Sequence, residues 1–362
     1  MNARCAVLAA VWLAAAVTAC EHTATFELPI YTPNGPPPLG SGPALRLTYN
    51  PGTDLYPMWM SGGSEILYSA ARVDRADHDH CFAVLPSTGG TISGYACRTS
   101  APDDSINAFE GASLGPGGRI AYVRASSPRL PVPPLVPQWE ALVVAPLADP
   151  NNAIELRSLD YTAPSGRIHQ GISHIGWLGP SRLVYLGESV TYPGACSGCP
   201  PDTVRTGIEI MTLDFGGATP VLATVPGTDS ASSVAVGATG DTIYFTRNGD
   251  SRVYRYTFSS TQTDTIHDFA PAGIARDVGV AVGRLCAVVG GNIIYVVDSI
   301  LGARQVDGGG ELHFVTLANG AETVIGGPST FFRRPAFSPD GTHVVAEMWT
   351  LGRGDIWRLD VP

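Results

Sequence analysis

A strand–turn–strand unit recurs along this chain, and that recurrence constrains its fold more than any other feature. In the clearest copy an apolar strand ends at Phe337, the turn Ser338-Pro339-Asp340-Gly341 follows, and a Val-rich strand runs to Ala346. A third strand closes on Asp355 to Asp360. Weaker copies pass through Trp59 and Ile66, then span 112–123, 175–186, 234–245 and 278–289. Aligned on Trp59, Leu114, Trp177, Val236, Val282 and Phe337, the copies lie 55, 63, 59, 46 and 55 residues apart. Such a unit cannot bury its apolar face alone, so neighbours must stack, and short strands at this period predict a β-propeller.

Each blade of a propeller needs four strands. Third and fourth strands read as amphipathic pairs at 81–85 with 91–95, 141–145 with 154–157, 208–213 with 220–223, and 311–317 with 322–325. The last blade stops after its third strand, while residues 44–49 form an orphan strand ahead of the first. Pairing the two removes two exposed edges. The expected fold is all-β: a six-bladed β-propeller of four-stranded antiparallel blades, closed by the N-terminal strand. Six blades are preferred over seven.

With a preceding Phe and a following Val-rich strand, Ser338-Pro339-Asp340-Gly341 resembles the WD40-like PD40 repeat of the TolB propeller domain. The same repeat occurs in the propellers of prolyl oligopeptidases. The likeness covers residues 44–362, strongest in the sixth copy; the others lose Asp or Pro. It implies a platform that docks partner proteins. TolB has an additional N-terminal α/β domain, and no helical pattern here supplies one.

Residues 1–19 read as a secretory signal: Arg4 gives the basic start, and 5–17 is an apolar run too short to span a bilayer. Val17-Thr18-Ala19-Cys20 resembles a bacterial lipobox, which implies cleavage before Cys20 and lipidation of its thiol. Several acyl chains give stable anchoring, at about 0.8 kcal/mol per buried CH₂. An ordinary cleaved signal with an incidental cysteine is the alternative. Glu21 in place of Asp leans, by the same resemblance, toward the outer membrane of a bacterial envelope. Residues 20–43 carry the lipidated Cys and a Pro-rich tether, extended by composition. Residues 44–362 form the propeller.

The net charge is −10, so neither nucleic acid nor an anionic membrane face is an expected partner. All 22 basic residues are Arg, which removes every lysine-based chemistry, the P-loop and the Schiff base included. Past a signal peptide, Cys81 and Cys97 face each other across a hairpin and are expected to form a disulfide. Cys196 and Cys199 form a lone C-x-x-C beside Pro200-Pro201. A loop disulfide is favoured there over a redox motif or half a zinc site. Gly111-Ala112-Ser113-Leu114-Gly115 fits a nucleophile elbow, but sits on an inner strand and its turn, not between strand and helix. The cluster at 74–80 places His78 and His80 on one side of an extended chain, where carboxylates could join them on a metal. A solvated loop is the preferred reading, with His169 and His174 as possible partners. No metal or cofactor is expected.

Two function classes remain. One is a membrane-anchored, monomeric envelope lipoprotein whose propeller binds a protein or a small ligand. The other is a propeller enzyme, a lyase or hydrolase, with His and carboxylates at the channel mouth. The absence of a catalytic motif favours the first. Long insertions fall at the second-to-third connections, which emerge on one face, and loops on a rigid scaffold carry binding. Candidate binding residues near that face are His78, His80, Trp139, His174, Tyr192 and Arg333.

Overall fold

The computed structural model describes residues 44–49, 52–71, 78–99, 105–128, 139–160, 168–191, 204–290, 294–298, 302–306, 310–326, 331–350 and 353–362. Residues 1–43, read above as signal and tether and including Cys20, lie outside them, as do Tyr192, Cys196 and Cys199. The described residues form strands and turns with no helix.

The C-terminal sheet contains β24 (Phe332–Phe337), β25 (His343–Thr350) and β26 (Arg353–Asp360). Its outer strand is β1 (Ala44–Arg46), antiparallel to β26, the position expected for the orphan strand. The Arg46–Asp355 ion pair (2.9 Å), buried Leu47 and the Thr48 hydroxyl, which accepts from the Ile356 amide at 2.9 Å, fasten this seam. A second sheet runs β10 (Ile168–Gly179), β11 (Arg182–Thr191), β12 (Val204–Asp214), β13 (Val221–Thr224). A third runs β14 (Ala231–Val236), β15 (Thr242–Arg247), β16 (Arg252–Thr257), β17 (Gln262–Asp268). A fourth runs β18 (Ala275–Ala281), β19 (Arg284–Val289), β22 (Glu311–Thr316), β23 (Ala321–Ile325). A separate hairpin, β20 (Ile294–Asp298) with β21 (Gly302–Val306), fills the connection between β19 and β22. One of the long second-to-third connections expected from the sequence thus carries a hairpin of its own.

The remaining strands are β2 (Leu55–Trp59), β3 (Glu65–Ala71), β4 (His78–Pro86), β5 (Gly94–Ala96), β6 (Ser105–Gly115), β7 (Arg119–Pro128), β8 (Trp139–Pro146) and β9 (Ile154–Asp160). They form one eight-stranded sheet instead of two separate units. The joint is a short parallel pairing of His78 and His80 in β4 with Asn107 and Ala108 in β6. From His78 onward the polar cluster is therefore strand, not the solvated loop expected.

The innermost strands β2, β6, β10, β14, β18 and β24 each touch the next, and β24 touches β2, so the ring closes. Cores lie between successive faces. Phe82, Phe109 and Tyr122 meet with ring centroids 5.0–5.1 Å apart. Each such burial contributes about 2–3 kcal/mol. The repeat-defining tryptophans key one face to the next. Trp59 donates its indole N–H to the Ala336 carbonyl (3.0 Å), and Trp177 donates to Ser113 (3.0 Å). A Cβ on Gly115 would come within 2.3 Å of Trp177, so the small residue is what admits the indole.

The Ser338-Pro339-Asp340-Gly341 turn works through Asp340. Its carboxylate accepts from the Ser338 hydroxyl and from the Thr342 amide and hydroxyl, which hold its pKa down to about 2. Gly341 takes the left-handed conformation, φ 70°. The fifth copy departs from the alignment above. There Val282-Gly283 makes the whole turn, Val282 is 83% exposed, and Val280 pairs with Leu285. Val280, not Val282, is the equivalent of Phe337. A two-residue turn had been counted as strand, which displaced that copy by two positions.

Cys81 and Cys97 are disulfide-bonded, tying the three-residue strand β5 to β4. Cys286 is a buried free thiol.

Candidate functional site

Every inner strand slips register against its neighbour at an equivalent place, and β10 slips again between Trp177 and Gly179. The slips fall between Leu55 and Met58, Glu110 and Ser113, Ser173 and Gly176, Ala231 and Ser233, Ala275 and Asp277, and Arg333 and Ala336. A bulge of this kind re-aims a side chain out of the pleat. In four strands the residue three before the aligned position is left-handed: Tyr56 (φ 54°), Gly111 (59°), His174 (51°) and Arg334 (48°). For a residue other than Gly this costs about 1–3 kcal/mol, and such strain clusters at functional sites. Ser233 and Asp277 hold the same offset in the other two strands.

These bulges bring together a belt of polar groups around the channel. His174 Nε2 lies 2.8 Å from Asp277 Oδ1, and Asp277 Oδ2 accepts from the Arg334 amide at 3.0 Å. The Arg334 guanidinium donates to Glu347 Oε1 at 2.7 Å and stacks 3.8 Å above the Tyr56 ring. Glu347, 0% exposed, also accepts from the Tyr56 amide (2.7 Å) and the Trp349 indole N–H (3.0 Å). The Tyr56 hydroxyl reaches Glu110 at 3.4 Å. The arc thus runs from β10 through β18, β24 and β2 to β6. At β14 only hydroxyls appear: Ser232 and Ser233 each bond Thr246, both at 2.7 Å. Glu347 and Trp349 lie near the end of β25, where Trp349 pairs with Gly354 of β26. The belt therefore sits toward the channel end that carries the second-to-third connections.

The electrostatics are those of a desolvated, paired network. Burial works against ionising Asp277, but His174, Arg333 and the Arg334 amide outweigh it and hold the carboxyl below its usual range. Burial likewise opposes the charge on Glu347, and Arg334, Arg333 and the Tyr56 amide overcome it. Burial and the neighbouring Arg334 charge pull Arg333 down to about 10, against the partial support of Glu347 and Asp277. Arg334 goes the other way: burial would lower it, but Glu347 and Tyr56 raise it.

The sequence-derived candidates divide. His174 and Arg333 lie in the belt, Arg333 with its guanidinium carbon 5.6 Å from the Trp349 ring centre. His80 is buried, 4% exposed, with Nε2 3.2 Å from the Thr53 carbonyl, so it does not face a loop surface. His78, Trp139 and His169 lie at or near the starts of β4, β8 and β10; their side chains, like Tyr192 as a whole, are outside the described set. Tyr56, Glu110, Asp277, Arg334, Glu347 and Trp349 were missed. The inner-strand signal for Asp277 and Arg334 is a polar pair at the same place in successive copies: Ser173-His174, Ser232-Ser233, Arg276-Asp277, Arg333-Arg334. The two-position displacement of the fifth copy hid Arg276-Asp277.

Two other polar clusters occur. Glu322 on β23 bonds His313 (2.5 Å) and His267 of β17 (3.2 Å), with Phe269 against both imidazoles. A cleft of about 780 Å³ at the β15–β16 and β17–β18 connections is lined by Asp229, Arg247, Asp250, Arg252 and Asp268. There Asp250, down to about 2, is held by Arg252 at 2.9 Å. Among the described residues no group of three or more His, Cys, Asp or Glu is arranged to hold a metal.

No protein-family model and no curated protein matches the chain. Solved structures do. A gluconolactonase from Xanthomonas campestris is similar at TM-score 0.54 and 12% identity, over 88% of this chain and 89% of that one. TolB from Acinetobacter baumannii is similar at TM-score 0.51 and 12% identity, over 83% of this chain and 65% of that one, so the chain spans just under two thirds of that protein. At such identities the likeness is one of fold: the chain is an all-β propeller of the kind seen in TolB and in an enzyme alike.

Proposed function

We propose that this chain is a six-bladed, TolB-like propeller of the PD40 repeat type that acts as a binding module of the bacterial envelope. In this reading the lipidated Cys20 anchors it to the outer membrane, residues 20–43 are the tether, and an envelope protein or a small ligand is bound at the channel belt. The six-fold count is supported by the closed cycle of six inner strands and by six buried clusters between neighbouring faces. The eight-stranded sheet then counts as two blades joined edge to edge. Lipidation and placement rest on the N-terminal sequence alone.

The observation that carries the binding reading is the set of strained bulges that aim Tyr56, His174 and Arg334 into one channel. Within β14, from Ala231 to Val236, no residue takes the left-handed conformation, and its serines are satisfied by hydroxyl bonds alone. The test is capture of envelope proteins and small molecules by the purified chain, repeated with Tyr56→Ala and His174→Ala. Binding that survives both substitutions rules the belt out.

A second reading, a propeller hydrolase, is favoured by one observation. The Ser173 hydroxyl lies 3.1 Å from His174 Nδ1 while Asp277 holds Nε2. A base flanked by a hydroxyl and an orienting carboxylate is the arrangement of nucleophilic catalysis. Turnover of ester or lactone substrates that is lost in Ser173→Ala would move the chain to this class.

A further inference from the structure

We infer that the belt binds an oxyanion, the carboxylate or phosphate group of a small ligand, in a two-pronged grip by the guanidinium of Arg333. The inference rests on the binding reading above and names the chemistry recognised there.

Both buried carboxylates at this end of the belt already have their donors. Asp277 is taken by His174 and the Arg334 amide. Glu347 Oε1 serves Arg334 and the Tyr56 amide, and its Oε2 serves the Trp349 indole. Arg334 is committed in turn, bonded to Glu347 and stacked on Tyr56. Arg333 differs. Its guanidinium lies over the Trp349 ring, and among the described residues no oxygen accepts a hydrogen bond from it. Glu347 and Asp277 lend it a favourable field but no acceptor. Stacking on an indole leaves the in-plane N–H donors of a guanidinium free, in the fork that suits two oxygens of one anion.

Two further observations point the same way. Adjacent half-buried arginines on one inner strand repel, and that repulsion together with the loss of water pulls Arg333 down to about 10. An arriving oxyanion relieves both. The ring also has low positions: Gly111 places no side chain beside Tyr56, whose ring a Cβ would meet at 3.7 Å, and Ser233 offers only a hydroxyl. A chain of net charge −10 does not suit nucleic acid as the source of that anion.

The test titrates the purified full chain with inorganic phosphate and, separately, with succinate. Ionic strength is held constant with chloride, and binding is read by calorimetry and by the shift in melting temperature. Saturable binding of phosphate, succinate or both is expected; a preference between them identifies the anionic group. Arg333→Lys keeps the charge but loses the fork and should weaken binding about ten-fold. Arg333→Met should abolish it. Arg255→Met, which breaks the exposed 2.9 Å pair with Asp264 on the outside, should leave it unchanged. No saturable response to either anion overturns the inference, as does undiminished affinity in the lysine variant, which decides the matter if the methionine variant does not fold. Loss of the oxyanion claim while Tyr56→Ala still abolishes capture of a partner leaves the binding reading standing. Loss of both dependences removes the two together.

Discussion

The C-terminal sheet and the sheet of β14 to β17 are built alike and furnished differently. Each has four antiparallel strands, a bulged inner strand and an apolar layer against its neighbours. In the β14 sheet the inner strand reads Ala231-Ser232-Ser233-Val234, both serine hydroxyls close on the Thr246 hydroxyl, and Thr246 in turn donates to the Arg276 carbonyl. The equivalent stretch of the C-terminal sheet is Phe332-Arg333-Arg334-Pro335, with Glu347 fully buried beside it. Hydroxyls satisfy a bulge at little desolvation cost. Two arginines and a carboxylate satisfy it only after several kcal/mol per ion of lost hydration. Since the cheaper solution serves one sheet, the expensive one in the other answers to something besides the fold.

The strongest way to break this comparison is at the seam. Deleting residues 44–50 removes β1, Leu47 and Thr48 from the C-terminal sheet and should cost on the order of 5 kcal/mol in chemical denaturation. Deleting 21–40 should change stability by less than about 0.5 kcal/mol. Equal losses would mean that the N-terminal strand does not close the ring. Next in size is Glu347→Ala, which strands Arg334 and Arg333 in a buried site and should cost about 3–5 kcal/mol. Thr246→Val in the quieter sheet should cost about 1–2 kcal/mol. If the two substitutions proved equal, the belt would be no more than another bulge filling. The joint Cys81→Ser, Cys97→Ser variant tests a third solution, a covalent one, where the outer strand β5 is only three residues long. With the cysteines 16 positions apart in sequence, about 3 kcal/mol should be lost, and a smaller drop than that for Thr246→Val would rule out a stapling role.

The smallest effect is the most local. Asp277 and Glu347 are held below their ordinary values in the folded chain. Their contribution is present above the unfolded-state values near pH 4 and is lost as pH falls through the lower folded-state values. In the β14 sheet the lowered carboxylates, Asp250 and Asp268, lie just before β16 and at the end of β17, outside β14 and β15. Hydrogen exchange followed downward from pH 5 should therefore show β24 and β25 losing protection before β14 and β15. The reverse order would put the acid-sensitive charges elsewhere.

Much of the fold was legible in the chain because strand alternation and turn chemistry are local. Phe337 before Ser338-Pro339-Asp340-Gly341, and the orphan strand at 44–49 facing a last blade one strand short, sufficed for a propeller and its seam. The fifth copy was read two positions out because a two-residue turn around Gly283 resembles strand when glycine is the sole break. The joining of β4 to β6 was not legible either, since a two-residue parallel pairing has no periodic signature.

The candidate site was half visible. Arg333 and His174, chosen for their place near the loop-bearing face, lie in the belt, whereas His80, chosen for its place in a polar run, turned inward to the Thr53 carbonyl. Sequence alone determined that the chain is a repeat of short strands behind a signal-like start, because those features are written in neighbouring residues. Only the tertiary structure decided that Tyr56, His174, Asp277, Arg334 and Glu347 belong to one network. Residues as far apart as 56 and 347 become partners only when the ring closes, and the left-handed conformations of Tyr56, His174 and Arg334 have no periodic signature in the chain.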